Sequence, residues 1–231
     1  MSTTTSHPAS ASHDARELRQ GQSIRSVYVY EAPVRIWHWL NALSMTVLCV
    51  TGYFIGQPLL TMPGEASAHY LMGYIMAVGM FARAYWALVG NHHAKKLFWV
   101  PMFQKTYWRE VFNMLRWYLF LIPKPIQYVG HNPLARLAMF GFYLMFSNFM
   151  LLTGFALYGE GAQMGSWQER LFGWVIPLFG QSQDVHTWHR LGMWGIVTFV
   201  LLHIYAAIRE DIMGRESIVS TMISGHRTFK E

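Results

Sequence analysis

Charge is scarce in this chain. Of 231 residues only 13% are Asp, Glu, Lys or Arg, whereas 53% are hydrophobic and 16% aromatic. A soluble domain carries about 25% charged residues. The shortfall excludes that class, and the formal charge of +6 then reads as basic loops of an integral membrane protein, with lipid as surroundings and no nucleic acid as partner. Cysteine is almost missing: Cys49 stands alone, which excludes an intramolecular disulfide framework and any four-cysteine metal site. Cys49 lies in an apolar run and reads as packing. Residues 1–27, rich in Ser, Thr, Ala and His, lack an apolar core of about 7–15 residues after a basic start, so a disordered cytoplasmic tail is expected here and no signal peptide. Two isolated histidines in it, His7 and His13, do not complete a metal site.

Against those absences stand four apolar runs near the roughly 20 residues that a bilayer requires. They are expected at about 35–56, 69–89, 133–158 and 187–208. His38 sits one turn inside the first, between Trp37 and Trp39 of an interfacial aromatic belt. Pro58, Pro63 and Gly64 mark the loop that follows. The second run carries Arg83 near its far end and has no length to spare; the third is entered through GHNP and has Asn148 near its middle, expected to bond a neighbouring helix. Between these two, residues 91–136 hold Lys95, Lys96, Lys105, Arg109, Arg116, Lys124 and Arg136 against Glu110 alone. There Trp108, Phe112, Leu115, Leu119 and Ile122 recur at spacings of three and four, an amphipathic surface helix that Lys124 and Pro125 end. Residues 159–185 show the reverse balance, with Glu160, Glu169 and Asp184 against Arg170; the apolar piece LFGWVIPLF, broken by Pro177, is expected to lie on the outer surface. The tail after the fourth run is polar and basic, with Arg209, Arg215, Arg227 and Lys230. The positive-inside rule therefore places both termini in the cytoplasm. The fold expected for 28–231 is all-α, a four-helix membrane bundle.

Histidines inside such a bundle demand a reason, because an ionisable group in a span is costly and marks a functional site by default. His189 and His203 are fourteen positions apart in the fourth run. That is about 40° short of four full turns, so both imidazoles share one helix face, separated by about 21 Å of rise. The first run enters from the cytoplasm and the fourth returns to it, which brings His38 to the depth of His203. The two form a natural axial pair for one b-type haem. A bis-His iron has no open position, which points to electron transfer rather than oxygen chemistry. His189 lies near the outer face and needs a partner from the outer end of another helix. A lone histidine in a span is more often a buried hydrogen-bonder; two on one face with a third at matched depth reverse that preference. His186, Trp188, Trp194 and the methionines read as interface or packing. Arg83 at the cytoplasmic side and Arg190 at the other are candidates to pair with haem propionates, with snorkelling as the competing account.

RIWHWLNALSMTVLCVTG and HTWHRLGMWGIVTFVLLH resemble the two signature stretches of the cytochrome b subunit of membrane-bound nickel-iron uptake hydrogenases, and YEAPVRIWHW, GHNPLA, GFALYGEGAQ and REDIM...STMISG resemble it as well. The resemblance runs from Tyr28 onward. It implies a di-haem four-helix protein, laid out like the gamma subunit of membrane-bound formate dehydrogenase. Such a subunit anchors the hydrogenase small and large subunits on the periplasmic face, takes electrons from the iron-sulfur small subunit and reduces quinone. It implies that His38 and His203 bind the iron of the cytoplasmic-side haem b and that His189 supplies one ligand to the periplasmic-side haem. It also carries Asn132 over as a quinone-site residue beside His203, with helix N-cap ahead of Pro133 as an equally good reading.

The second run departs from the family, whose members have a longer helix there and a histidine after LMGYI that binds the periplasmic-side haem. Here LMGYI meets MAVGMFARAYW directly, as if about three turns of about 3.6 residues were absent. Three outcomes stay open: His69 ligates, the haem is lost or five-coordinate, or the sequence lacks a segment, the last being favoured. The expected protein is an inner-membrane electron-transfer subunit of a hydrogen:quinone oxidoreductase, without a hydrogen-activating site of its own. The alternatives are a gamma-type cytochrome b of another periplasmic dehydrogenase, such as formate dehydrogenase, and a haem-binding anchor or assembly protein without turnover.

Overall fold

The computed structural model describes residues 24–55, 57, 63–96, 98–123, 128–214 and 217–230. The tail 1–23 with His7 and His13, Pro58, Lys124, Pro125 and Arg215 lie outside the described residues. In chain order come β1 (Ile24–Tyr28), α1 (Ala32–Ile55), α2 (Glu65–Val89), α3 (His92–Lys95), α4 (Lys105–Tyr118), α5 (Pro133–Ala138), a π-helical turn (Met139–Leu144), α6 (Met145–Gly161), α7 (Trp167–Phe172), α8 (Val175–Phe179), α9 (Ser182–Met213), α10 (Ile218–Ser224) and β2 (His226–Lys230).

Among the described residues, four stretches are long and apolar enough to cross a membrane: α1, α2, the continuous run Pro133–Gly161 and α9. α1 starts three residues ahead of the expected first span and ends one residue short of it, and the other three enclose the expected spans, with the greatest overrun at α9, which is 32 residues long. α2 keeps 25 residues, so the span that looked short remains long enough to cross. Phe81, Leu88, Val78 and Leu201 point outward and are well exposed, as a lipid-facing surface requires. Inside, Met45, Met76, Met80, Tyr143, Leu144 and Ile196 form one core cluster from all four spans. Asn132 caps the third span as expected, accepting a hydrogen bond from Ala135 N at 2.7 Å ahead of Pro133 in the first turn.

Three expectations change. The tail does not extend to residue 27, because Ile24–Tyr28 pair antiparallel with His226–Lys230, Tyr28 opposite His226. A strand completed some 200 positions away leaves no periodic signal in its own neighbourhood. The polar, basic segment after α9 packs back on the bundle: Trp39 Nε1 donates to Met222 O at 3.0 Å and Arg35 donates to Ile223 O, which fastens α10 to the start of α1. Asn148 does not bridge helices; its Nδ2 donates to Leu144 O of its own helix at 2.7 Å. On α4, Tyr107, Val111, Met114 and Trp117 are buried against the protein, while Phe112 and Leu119 of the predicted stripe face outward.

Candidate functional site

α9 is one unbroken helix, and it presents its two histidines to two different partners. The His203 ring lies 6.3 Å from the His38 ring of α1, centre to centre. The His189 ring lies 6.4 Å from the His69 ring of α2. The first pairing is the one that depth matching predicts. The second brings His69, a ligand in one of the three outcomes left open, to face His189, because Glu65–Val89 begins four residues ahead of His69 and turns it inward. His186 is exposed, and its Nδ1 lies 3.1 Å from Ser182 O, outside both pairs.

The His69 and His189 rings are held by matching devices. Thr51 Oγ1 lies 2.9 Å from His69 Nδ1, and Thr153 Oγ1 lies 2.7 Å from His189 Nδ1. The next residue in each case is a glycine: a methyl on Gly52 would meet His69 Cε1 at 3.2 Å, and one on Gly154 would meet His189 Cε1 at 3.2 Å. The rings thus nest against bare backbone on α1 and α6. They border a cavity of about 350 Å³ whose walls include Met45, Met150, Met193 and the exposed Arg190. The repeated Thr-Gly pair, 51–52 and 153–154, is the signal that sequence reading missed; the same dipeptide occurs inside two apolar spans.

The His38/His203 end is built otherwise. His203 stacks on Phe199 with ring planes 12° apart, and His38 meets Trp39 edge-on at 5.1 Å. His38 Nδ1 is buried with no hydrogen-bond partner among the described residues. Arg83 is 4% exposed, donates from Nη2 to Ala94 O at 2.8 Å, and packs its guanidinium over Trp37 and Phe98. Its Nε and Nη1 have no partner among the described residues. A buried guanidinium with idle donors fits an incoming anion.

A polar network seals this end. Tyr118 and Asn132 both donate to Glu210 Oε1, and Arg227 reaches Glu210 at 3.9 Å. The Asn132 carboxamide is therefore occupied on both sides, by its cap and by Glu210. Tyr30 Oη lies 3.0 Å from His131 Nδ1. Burial pushes the Tyr30 and Tyr118 hydroxyls up, and burial together with His203 and Arg227 holds His131 down to about 3, so all three are neutral at pH 7.

Among the described residues no group of three or more His, Cys, Asp or Glu side chains converges. Histidines come in facing pairs, the arrangement suited to a metal whose other ligands belong to a macrocycle. Residues 29–225 match the family of prokaryotic cytochrome b561. The chain belongs to that family. Three relatives show how near it lies. The probable Ni/Fe-hydrogenase B-type cytochrome subunit of Cupriavidus necator is 65% identical, with 94% of this chain and 93% of the relative covered. The protein of that description from Azotobacter vinelandii is 60% identical over 89% of this chain and 90% of its own length. The probable Ni/Fe-hydrogenase 1 B-type cytochrome subunit of Escherichia coli K12 is 48% identical over 92% and 95%. The Cupriavidus match runs over 228 residues yet takes in 94% of a 231-residue chain, about 217, so the relative carries about 11 residues without a counterpart here.

Proposed function

We propose that this chain is the haem b membrane subunit of a nickel-iron hydrogenase, set in the cell inner membrane with both termini cytoplasmic. It accepts electrons from the iron-sulfur small subunit on the periplasmic face and delivers them to quinone. One observation carries the reading: two imidazole pairs with centres 6.3 and 6.4 Å apart. Two metal–nitrogen bonds of about 2.0–2.1 Å, with about 1.1 Å from nitrogen to ring centre on each side, call for about 6.3 Å across one iron. His38 with His203 and His69 with His189 are the residues that would hold haem b, each pair supplying two imidazole nitrogens to one iron.

Bound there, haem b supplies one-electron transfer without an open coordination site. The protein's own part is to hold and shield. Gly52 and Gly154 make room beside the outer rings, and the core around Met45, Met76 and Ile196 keeps the interior free of water. Arg83 offers its idle guanidinium donors to a propionate at the inner site, and the exposed Arg190 does so at the outer one. Quinone is reduced beside His203, where Asn132 reaches a quinone carbonyl by exchanging its bond to Glu210. Lysine and arginine crowd the 91–136 loop and the ends of the chain, which supports the cytoplasmic placement of the inner site. The names of the relatives favour hydrogenase over formate dehydrogenase as donor.

The deciding experiment is haem per polypeptide by pyridine haemochrome, followed by reduction with hydrogen and reoxidation with quinone in membranes holding the whole complex. Two haems that cycle are expected. A haem content that hydrogen never reduces would instead support an anchor without turnover.

A further inference from the structure

We propose that Thr51 and Thr153 are positioning residues that make the His69/His189 site the lower-potential one of the two, which gives the electron path a direction. The inference rests on the di-haem reading above. A threonine hydroxyl has one proton to give. In both residues it is already given: Thr51 Oγ1 donates to Val47 O at 2.7 Å, and Thr153 Oγ1 to Phe149 O at 2.8 Å. A carbonyl oxygen can only accept. The nitrogens facing the same hydroxyl oxygens, His69 Nδ1 at 2.9 Å and His189 Nδ1 at 2.7 Å, must therefore be the donors. Each ring is thereby locked in the tautomer that carries its proton on Nδ1 and leaves the Nε2 lone pair free for a metal.

The consequence is electronic as well as geometric. An imidazole that donates its second N–H to an oxygen becomes a more basic ligand, and two such ligands stabilise the oxidised iron. At the other pair this device is missing on at least one side, because His38 Nδ1 is buried without a partner among the described residues. His203 is held by its stack on Phe199. The site with hydrogen-bonded ligands is the better electron donor, and the site with an untied ligand the better acceptor. Electrons that enter at His69/His189 thus run downhill toward His38/His203. The glycine after each threonine serves the same contact, since a side chain at Gly52 or Gly154 would press on the ring that the hydroxyl holds.

Redox titration of the haem absorbance in solubilised full-length complex tests this. His203→Ala leaves the outer haem and His69→Ala the inner one, so each variant assigns one potential. The outer haem is expected to titrate lower. Thr51→Val with Thr153→Val, close in shape but without hydroxyls, is expected to raise the outer potential toward the inner one and leave the inner unmoved; Thr→Ser at both positions restores the gap. If the Val variant sheds the outer haem, retention by the Ser variant supports the hydroxyl role, and loss from both overturns it. Two haems with unmoved potentials in the Val variant overturn this inference alone. One haem per wild-type chain overturns the di-haem reading and this inference with it.

Discussion

The outer and inner histidine pairs hang on one helix at nearly the same ring spacing, yet different chemistry holds them. The outer rings are tied by threonine hydroxyls, nest against bare glycine backbone and face a cavity. The inner rings are held by Phe199 and Trp39, beside a buried arginine and beneath the network of Glu210, Tyr118, Asn132 and Arg227. The spacing is common to both ends, and the surroundings report how the ends differ. One end is arranged to position ligands in an apolar slot. The other keeps charged and proton-bearing groups close at hand, as the quinone reduction proposed for it would require.

Four measurements would break or sharpen that contrast. The largest effect is expected from His203→Ala, which removes the inner site: haem content should halve and hydrogen-to-quinone activity should vanish, while reduction of an artificial dye by the attached hydrogenase persists. A full bis-His spectrum in this variant would end the pairing with His38. Next, His69→Ala should also halve the haem content. Unchanged haem would mean that His189 has another partner, and the contrast between the ends would need to be redrawn. A smaller loss is expected from Gly154→Ala. Its new methyl would press on His189 Cε1 at 3.2 Å, an overpacking that costs about 1–3 kcal/mol, with lower haem occupancy at the outer end alone.

The smallest effect concerns pH at the basic loop. Burial, reinforced by His92, Lys96 and Arg227, holds His93 down to about 4, below its ordinary 6.5. The unfolded chain therefore takes up this proton first. Stability is full above about pH 6.5 and falls as pH drops toward 4, with a slope that solvent around the partly exposed ring screens well below the about 1.4 kcal/mol per unit of a fully buried group. Thermal unfolding of the solubilised protein between pH 7.5 and 5 should show this slope, and His93→Asn should flatten it. An equal slope in the variant would assign the effect to other groups.

Much of this was readable from local pattern. The spans announce themselves because lipid requires about 20 apolar residues in a row, whatever the rest of the chain does. His38 and His203 could be paired because helix rise and the direction of crossing set depth. Asn132 before Pro133 carries its own capping signal. The partner of His189 was not readable in that way. His69 sits at a helix edge, and only the packing of α2 against α1 and α6 brings it to face His189. The strand pairing of Ile24–Tyr28 with His226–Lys230 escaped for the same reason, since its two halves lie at opposite ends of the chain.

What the sequence determined by itself is the membrane bundle, the basic faces and the inner histidine pair, because each follows from periodicity, length or charge counted along one segment. The tertiary structure alone decided which ring faces His189 and which hydroxyls tie the two outer rings. Those contacts depend on the rotation of one helix against another, and a sequence read one segment at a time does not contain that rotation.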